Sequence, residues 1–393
     1  MPEIVKSSPR NEDKKWNPFM SEKLFAHIYR WSKIKRGSMI PAPVFVTVDP
    51  TNLCEFDCVW CNAKIIRRNS PFSISRNALM SIADFLPIWG NDDMEVESVC
   101  VAGGGEPLMN PATADFIDRT ISNGIEVGLI TNGLHIGEFM GPISKCTWVS
   151  VSVDAASAET HNRLKRTPDS ETFSKVIDNI SGLVDHARNN GGRLGSSLPA
   201  YGVTYKYLLH RGNIGEVYQA AKLAKRIGCK NICYRPAVTP YHRLRTEGAV
   251  EFSGGDIAMY KEQLAEALQL NDENFNVYEY TYRVGPGFER NNCFSKCFSI
   301  FMTAIFQAPK YADSPRDSFT LGLCCDRRGD GITELLQDAV DVNKISGAWG
   351  SERHWEIHDR IDQDRQCPQC THVVHNKIYE QCILNDGLTY KFI

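Results

Sequence analysis

The chain has 393 residues, 42% of them hydrophobic and 23% charged, with a formal net charge of −3. That length suits roughly two domains, or one barrel with an appendage, and the charge supplies no basic field to draw in nucleic acid. No run approaches the ~18 apolar residues of a membrane span, and the polar start MPEIVKSSPRNEDKK has no signal-peptide core, so a cytoplasmic location with no membrane partner is expected.

In chain order, residues 1–42 read as a polar leader and a helix over Ser21–Lys35, with Leu24, Phe25, Ile28, Tyr29 and Trp31 packing inward. Residues 1–40 carry nine Lys and Arg against four Asp and Glu. The excess marks either a solvated face or a docking surface for an acidic partner. From Pro43 to Arg235 strands alternate with helices. Strands are predicted at 44–49, 97–102, 125–130, 147–153, 201–207 and 230–235, and helices at 75–89, 111–122, 172–190 and 213–228. Asn110-Pro111 supplies a cap and a first-turn proline to the second of these helices. Six strands with helical crossovers make a parallel sheet, too few to close an eight-stranded barrel. The expected fold class is therefore α/β, an open (β/α)6 TIM-like barrel. Residues 236–254 read as a loop, and a helix at 255–270 and a strand at 275–282 lead out of the barrel. The alternation stops from about Gly285, which gives three expected units: an N-terminal arm at 1–42, a barrel at 43–285, and a cysteine-rich region at 286–393.

Fourteen cysteines are many for such a chain, and seven of them lie after residue 290. In a reducing compartment metal binding is the better default than disulfides. Cys54, Cys58 and Cys61 stand at C-x3-C-x2-C spacing on a loop at a strand's C-terminal end, where α/β folds put their chemistry. Three cysteines are one short of a closed zinc or iron–sulfur site. A zinc knuckle and three unrelated cysteines are the plain alternatives. Gly103-Gly104-Gly105-Glu106-Pro107 follows the next strand, where glycines allow a close backbone approach. Thr131-Asn132-Gly133 ends the third strand; a simple Asn-Gly turn is the other reading. Ser152 and Asp154 end the fourth on one face, and Thr204 and Lys206 share a face of the fifth. Arg235 ends the sixth. Lys206 either meets an anionic group in the barrel mouth or snorkels to water. Near the C-terminus, Cys367-Pro368-Gln369-Cys370 suits iron–sulfur or zinc equally.

The triplet, with aromatic Trp60 before its third cysteine, resembles the radical S-adenosylmethionine (radical SAM) superfamily. The GGEP-type stretch and the TNG stretch fit that resemblance. It implies a [4Fe-4S] cluster on Cys54, Cys58 and Cys61, with the open iron bound by SAM. It also implies a 5′-deoxyadenosyl radical that takes a substrate hydrogen. By the same resemblance Gly104, Gly105 and Glu106 hold the SAM amino group, Ser152 and Asp154 its ribose, and Lys206 its carboxylate or the substrate. The stretch Gly322-Leu323-Cys324-Cys325-Asp326, an aromatic segment with Trp349 and Trp355, and the C-x2-C pair resemble the SPASM/twitch extension of radical SAM enzymes. This implies one auxiliary [4Fe-4S] cluster on Cys297, one of Cys324 and Cys325, Cys367 and Cys370, with Cys293 or Cys382 as alternative ligands.

The expected function is oxidation of a small polar or sugar-like metabolite, with the auxiliary cluster accepting an electron and a flavodoxin or ferredoxin as reducing partner. Modification of a ribosomally made peptide is one alternative. Epimerisation, with a spare cysteine among Cys146, Cys229, Cys233, Cys293 and Cys382 returning hydrogen, is another. A zinc-stabilised scaffold without catalysis is the reading from a different class.

Overall fold

The computed structural model describes residues 21–90, 94–190, 192–195, 202–237, 251–279, 294–329, 331–361, 367 and 370–384. Its strands are β1 (Phe45–Val48), β2 (Ser98–Val101), β3 (Glu126–Thr131), β4 (Trp148–Ser152), β5 (Gly202–Leu209), β6 (Asn231–Pro236), β7 (Asn276–Glu279), β8 (Thr303–Gln307), β9 (Phe319–Gly322) and β10 (Glu334–Ala339). They form one sheet in the order β10-β9-β8-β1-β2-β3-β4-β5-β6-β7. Strands β1 to β7 are parallel, each to the next. The helices are α1 (Ile28–Trp31), α2 (Lys64–Asn69), α3 (Arg76–Phe85), α4 (Ala112–Ser122), α5 (Met140–Ser144), α6 (Ala158–Lys165), α7 (Thr172–Asn189), α8 (Val217–Arg226), α9 (Gly254–Leu268), α10 (Lys344–Ala348), α11 (Glu352–Arg360) and α12 (Val373–Cys382).

The parallel run with helical crossovers is the partial TIM-like barrel expected from the sequence, with β7 as a seventh parallel strand on β6. Alternation along the strands divides its two faces. Val46, Val48, Val99, Val101, Val149, Val151, Tyr205, Ile232 and Tyr234 are buried in the core shared with Leu79, Ile82, Phe116, Ile117, Ile180 and Leu183 of the helices. The intervening positions are small, polar or charged: Thr47, Cys100, Ser150, Ser152, Thr204, Lys206, Cys233 and Arg235. Register sets Thr47 beside Cys100, Ser152 beside Lys206, and Lys206 beside Cys233. A barrel with one apolar and one polar face has its chemistry built into the second.

Three departures from expectation bear on the site. The helix predicted over Ser21–Lys35 is a 3-10 turn at Ser21–His27 followed by α1. A three-residue turn rotates the faces relative to a 3.6-residue period. Trp31 is buried, but Phe25, Ile28 and Tyr29 are exposed. Arg30 goes inward instead, donating to Ala42 O and Glu95 O and pairing with Glu97 at 2.8 Å. Helix α6 lies between the strand expected at 147–153 and the helix expected at 172–190, where no helix is predicted. The third departure is β8, which pairs in parallel with β1, Phe45 opposite Thr303, so the sheet runs without a break from the barrel into the cysteine-rich region. β9 and β10 continue it antiparallel.

Candidate active site

The cysteine loop leaves β1 at Asp49 and is clamped from three sides. On the first, Gly105 N donates to Thr51 O at 2.9 Å and Glu106 N to Leu53 O at 2.7 Å, binding the glycine loop after β2 to the start of the cysteine loop. A Cβ on Gly105 would stand 1.9 Å from Leu53 O, and one on Gly104 2.3 Å from Asn52 Oδ1. Only glycine permits that approach. The close contact is therefore between the two loops.

On the second side, Asp57 N donates to Lys165 O at 3.1 Å and Val59 N to Leu164 O at 3.0 Å. The last carbonyls of a helix lack intrahelical partners, and here the cysteine loop supplies them at the end of α6. On the third, Arg67 of α2 turns back over the loop. Its guanidinium donates to Cys54 O at 2.7 Å and to Phe56 O, and reaches Cys61 Sγ at 3.7 Å. Cys61 N in turn donates to Cys58 O at 3.1 Å, closing the turn between the second and third cysteines. All three thiols are half-buried. Burial pushes the Cys54 thiol up to about 12 and the Cys58 thiol to about 11.

Trp60 is buried with Leu164 and Ala237, its ring 5.6 Å from that of His210. It anchors the loop to the barrel wall. Glu106 is buried, and its carboxylate accepts from Thr131 Oγ1 at 2.6 Å, Asn132 N at 2.7 Å and Leu108 N at 3.2 Å. Burial raises it to about 7 against the pull of those bonds. It thus ties the ends of β2 and β3 together. Asn132 reaches Glu55 Oε1 at 3.1 Å, and His135 lies 3.2 Å from the same oxygen. The TNG stretch therefore touches the cysteine loop through Glu55.

Asp154 takes a left-handed backbone, φ 59°, just past β4. Its Oδ2 pairs with the buried ammonium of Lys165, and its Oδ1 accepts from Leu208 N at 2.6 Å. Both oxygens are thus engaged inside the protein. Ser152 is half-buried beside Lys206. Lys206 is lowered to about 8 by burial, then by the charge of Arg235 on the next strand. The same ammonium acts on the buried Cys100 of β2. These groups share the polar interior face.

The C-terminal cysteines sort into two settings. Burial drives the Cys324 thiol far up, then Asp326, Cys325, Cys370 and Cys297. Cys370 is driven up by burial, then by Asp326, Cys297 and Cys367. Cys325, Cys370 and Cys297 thus act on Cys324, and Cys297 and Cys367 on Cys370. His372 N donates to Cys370 Sγ at 3.2 Å, and Asn376 Nδ2 to Cys297 Sγ at 4.0 Å. Cys325 turns the other way. Its thiol, raised by burial to about 11, feels Asp326, Arg328, Asp49 and Arg235, and it lies 3.5 Å from His372 Nε2. Arg328 forms a buried pair with Asp49 at the end of β1, with a second contact at 3.2 Å. The segment 324–328 therefore runs from the C-terminal cysteines to the mouth of the barrel. Cys146 and Cys229 sit in the apolar core, and Cys382 is exposed. Cys293 lies outside the described residues.

Among the described residues, no three His, Cys, Asp or Glu side chains converge as ligands of a single ion. A cube fits the triplet better, because each of its thiolates binds a different iron. The donor set is the soft thiolate set such clusters use. Asn52 Oδ1 and Glu55 Oε2, both buried at this loop, have no hydrogen-bond partner among the described residues. They are acceptors available to an ammonium-bearing ligand.

Residues 48–188 match the model of the radical SAM superfamily. The chain carries a radical SAM domain. That domain spans β1 to the end of α7, so it contains the triplet, the glycine loop and the TNG stretch. The superfamily's cofactors are a [4Fe-4S] cluster and SAM. The chain is 25% identical over 194 residues to the mycofactocin maturase MftC of Mycobacterium ulcerans, covering 48% of this chain and 46% of that protein. It is 25% identical over 199 residues to the MftC of Mycobacterium tuberculosis. The match spans about half the length of these curated relatives. In fold the chain resembles SuiB of Streptococcus suis bound to its precursor peptide SuiA, with a TM-score of 0.60 and 12% identity over 95% of this chain and 81% of that one. It also resembles anSMEcpe bound to AdoMet and the Kp18Cys peptide, with a TM-score of 0.56 and 15% identity over 85% and 90%. Among the described residues, no helix is long and apolar enough to cross a membrane.

Reasoning from the sequence missed Arg67, Lys165, Glu55 and the Asp49–Arg328 pair. Ser157, which caps α6 by accepting from Thr160 N, was the one available signal for the helix that carries Lys165.

Proposed function

We propose that the chain is a radical SAM enzyme that modifies a peptide. One observation carries this reading. The likeness to SuiB runs over nearly the whole chain, through the barrel and the cysteine-rich region alike, and that neighbour was solved with its precursor peptide. The curated relatives are maturases, which points the same way. The expected alternative of peptide modification thus gains support, while the small polar or sugar-like metabolite finds none among these relatives.

In this reading Cys54, Cys58 and Cys61 hold the cluster. Asn52, Glu55, the glycine loop, Ser152 and Lys206 line the space beside it for SAM. The bound pair supplies a 5′-deoxyadenosyl radical. This chain's own residues position the loop, exclude water with Trp60 and Phe56, and set cationic groups, Lys206 and Arg235, across the interior face. A flavodoxin- or ferredoxin-type donor supplies the electron.

Residues 286–393 share the barrel's sheet and hold the auxiliary [4Fe-4S] cluster on Cys297, Cys324, Cys367 and Cys370. That Cys370 and Cys297 act on the Cys324 thiol supports Cys324 over Cys325 as the fourth ligand. Cys324→Ala is expected to lose this cluster, about four iron per chain, while Cys325→Ala keeps it. Iron and acid-labile sulfide analysis decides, and equal loss in both variants would show the assignment to be wrong. The function itself is tested by anaerobic turnover with SAM, dithionite and a panel of candidate peptides drawn from open reading frames near this chain's gene, read as 5′-deoxyadenosine together with a change in peptide mass or residue stereochemistry.

A further inference from the structure

We propose that Arg67 raises the reduction potential of the cluster on Cys54, Cys58 and Cys61, as a positioning residue that also fixes the loop. The inference rests on the reading that this triplet holds the cluster. It starts from what α2 does with the chain. The helix begins three residues after Cys61, and its last turn brings Arg67 back over the loop it has just left. One guanidinium nitrogen bonds the carbonyls of Cys54 and Phe56, and another points at Cys61 Sγ, 3.7 Å away. The planar fork lets one side chain hold backbone and sulfur together, which a lysine does not do.

Two cations flank the triplet, Arg67 and Lys165. Lys165 is paired with Asp154, so its field at the cluster is largely that of a dipole. Arg67 has no carboxylate within 4.0 Å among the described residues, and Cys54, Cys61 and Cys58 are the charges that act on it most. Of the charges that act on the Cys54 thiol Arg67 is the largest, ahead of the Glu106 and Glu55 carboxylates. Reduction adds one electron from the donor to the cluster, and the cluster's charge falls by one. A fixed cation at hydrogen-bond distance from a ligand sulfur favours that reduced form. The C-terminal site has the opposite setting. There His372 N and Asn376 Nδ2 donate to sulfur, Ser299 Oγ lies 3.3 Å from Cys297 Sγ, and the Asp326 carboxylate acts on Cys324 and Cys370.

The experiment is a dithionite redox titration of the full chain, followed by electron paramagnetic resonance, with and without SAM. SAM picks out the signal of the cluster with the open iron. Arg67→Gln is expected to move the midpoint of that signal to more negative potential and to leave the SAM-insensitive signal in place. Arg67→Lys keeps the charge and loses the fork, so its midpoint should fall between those of the wild type and Arg67→Gln. A SAM-responsive signal at the wild-type midpoint in both variants overturns the proposal. If Arg67→Gln does not retain the cluster, the Arg67→Lys midpoint decides alone: a more negative value supports the proposal and a wild-type value ends it. Loss of that cluster from both variants, with circular dichroism unchanged, makes Arg67 a clamp only and also ends it. If the wild-type chain shows no SAM-responsive signal, the cluster reading has failed, a result distinct from any of these.

Discussion

Cys58→Ala is expected to abolish 5′-deoxyadenosine formation and to lower the iron content from about eight to about four per chain. Cys58 is the middle cysteine of the loop, and the triplet has no spare ligand. Among the described residues the remaining cysteines of the barrel, Cys100, Cys146, Cys229 and Cys233, are buried on strands or in the core and cannot take its place. The fold should survive. The apolar face of the sheet is built from valines and tyrosines of β1 to β6 against α3, α4 and α7, none of which needs the thiol. Far-ultraviolet circular dichroism should match the wild type, and a variant that cleaves SAM normally would refute the assignment of the triplet.

Lys165→Met should be the most damaging single change to stability. The ammonium is 3% exposed and its partner Asp154 1%. Burial alone would lower the Lys165 pKa, but Asp154 together with the Cys58 and Cys54 thiols turns the net shift upward. Removing one member of a buried pair strands the other charge, at a cost of about 3–5 kcal/mol. Asp154 is also fixed by Leu208 N and by its left-handed backbone, so it cannot turn to water. Because the carbonyls of Leu164 and Lys165 hold Asp57 N and Val59 N, the loss should spread to the cysteine loop. Urea denaturation of the iron-free chain measures the first effect, and iron retention of the loaded chain the second. Lys165→Met/Asp154→Asn, which removes both charges, should recover part of the stability. A double variant no better than the single one would mean that the pair is not what holds this corner.

The sequence showed the barrel clearly because β1 to β6 are short apolar runs separated by amphipathic helices, and local periodicity carries that pattern. It showed the triplet and the glycine loop because both depend on spacing along the chain. What it hid depended on distance. β8 pairs with β1 across more than 250 residues of sequence, Phe45 opposite Thr303, and nothing in Thr303–Gln307 names its neighbour. Helix α6 was hidden by its ending: Arg166 stops it in the left-handed conformation, φ 50°, where a glycine would have marked the stop. Helix α2 begins at Ala63 without a side-chain cap, so Arg67 carried no helical signature. Cys324 and Cys325 are adjacent, and spacing does not encode which way each of two adjacent side chains points. Asp154 is a different case. Its alternation with Ser152 suggested a shared face, but the positive φ breaks the strand there and directs the carboxylate to Lys165.

The central claim is radical SAM chemistry on a peptide, and anaerobic turnover tests it most directly. The iron-loaded chain is mixed with SAM, dithionite and candidate peptides drawn from open reading frames near its gene, and 5′-deoxyadenosine and each peptide's mass and residue stereochemistry are measured together. The expected result is 5′-deoxyadenosine formation with a change in one peptide's mass or residue stereochemistry, both absent in Cys58→Ala. Formation of 5′-deoxyadenosine with every peptide unchanged in both mass and residue stereochemistry would contradict the peptide reading. Protein that carries only zinc and forms no 5′-deoxyadenosine would contradict the radical SAM account as a whole.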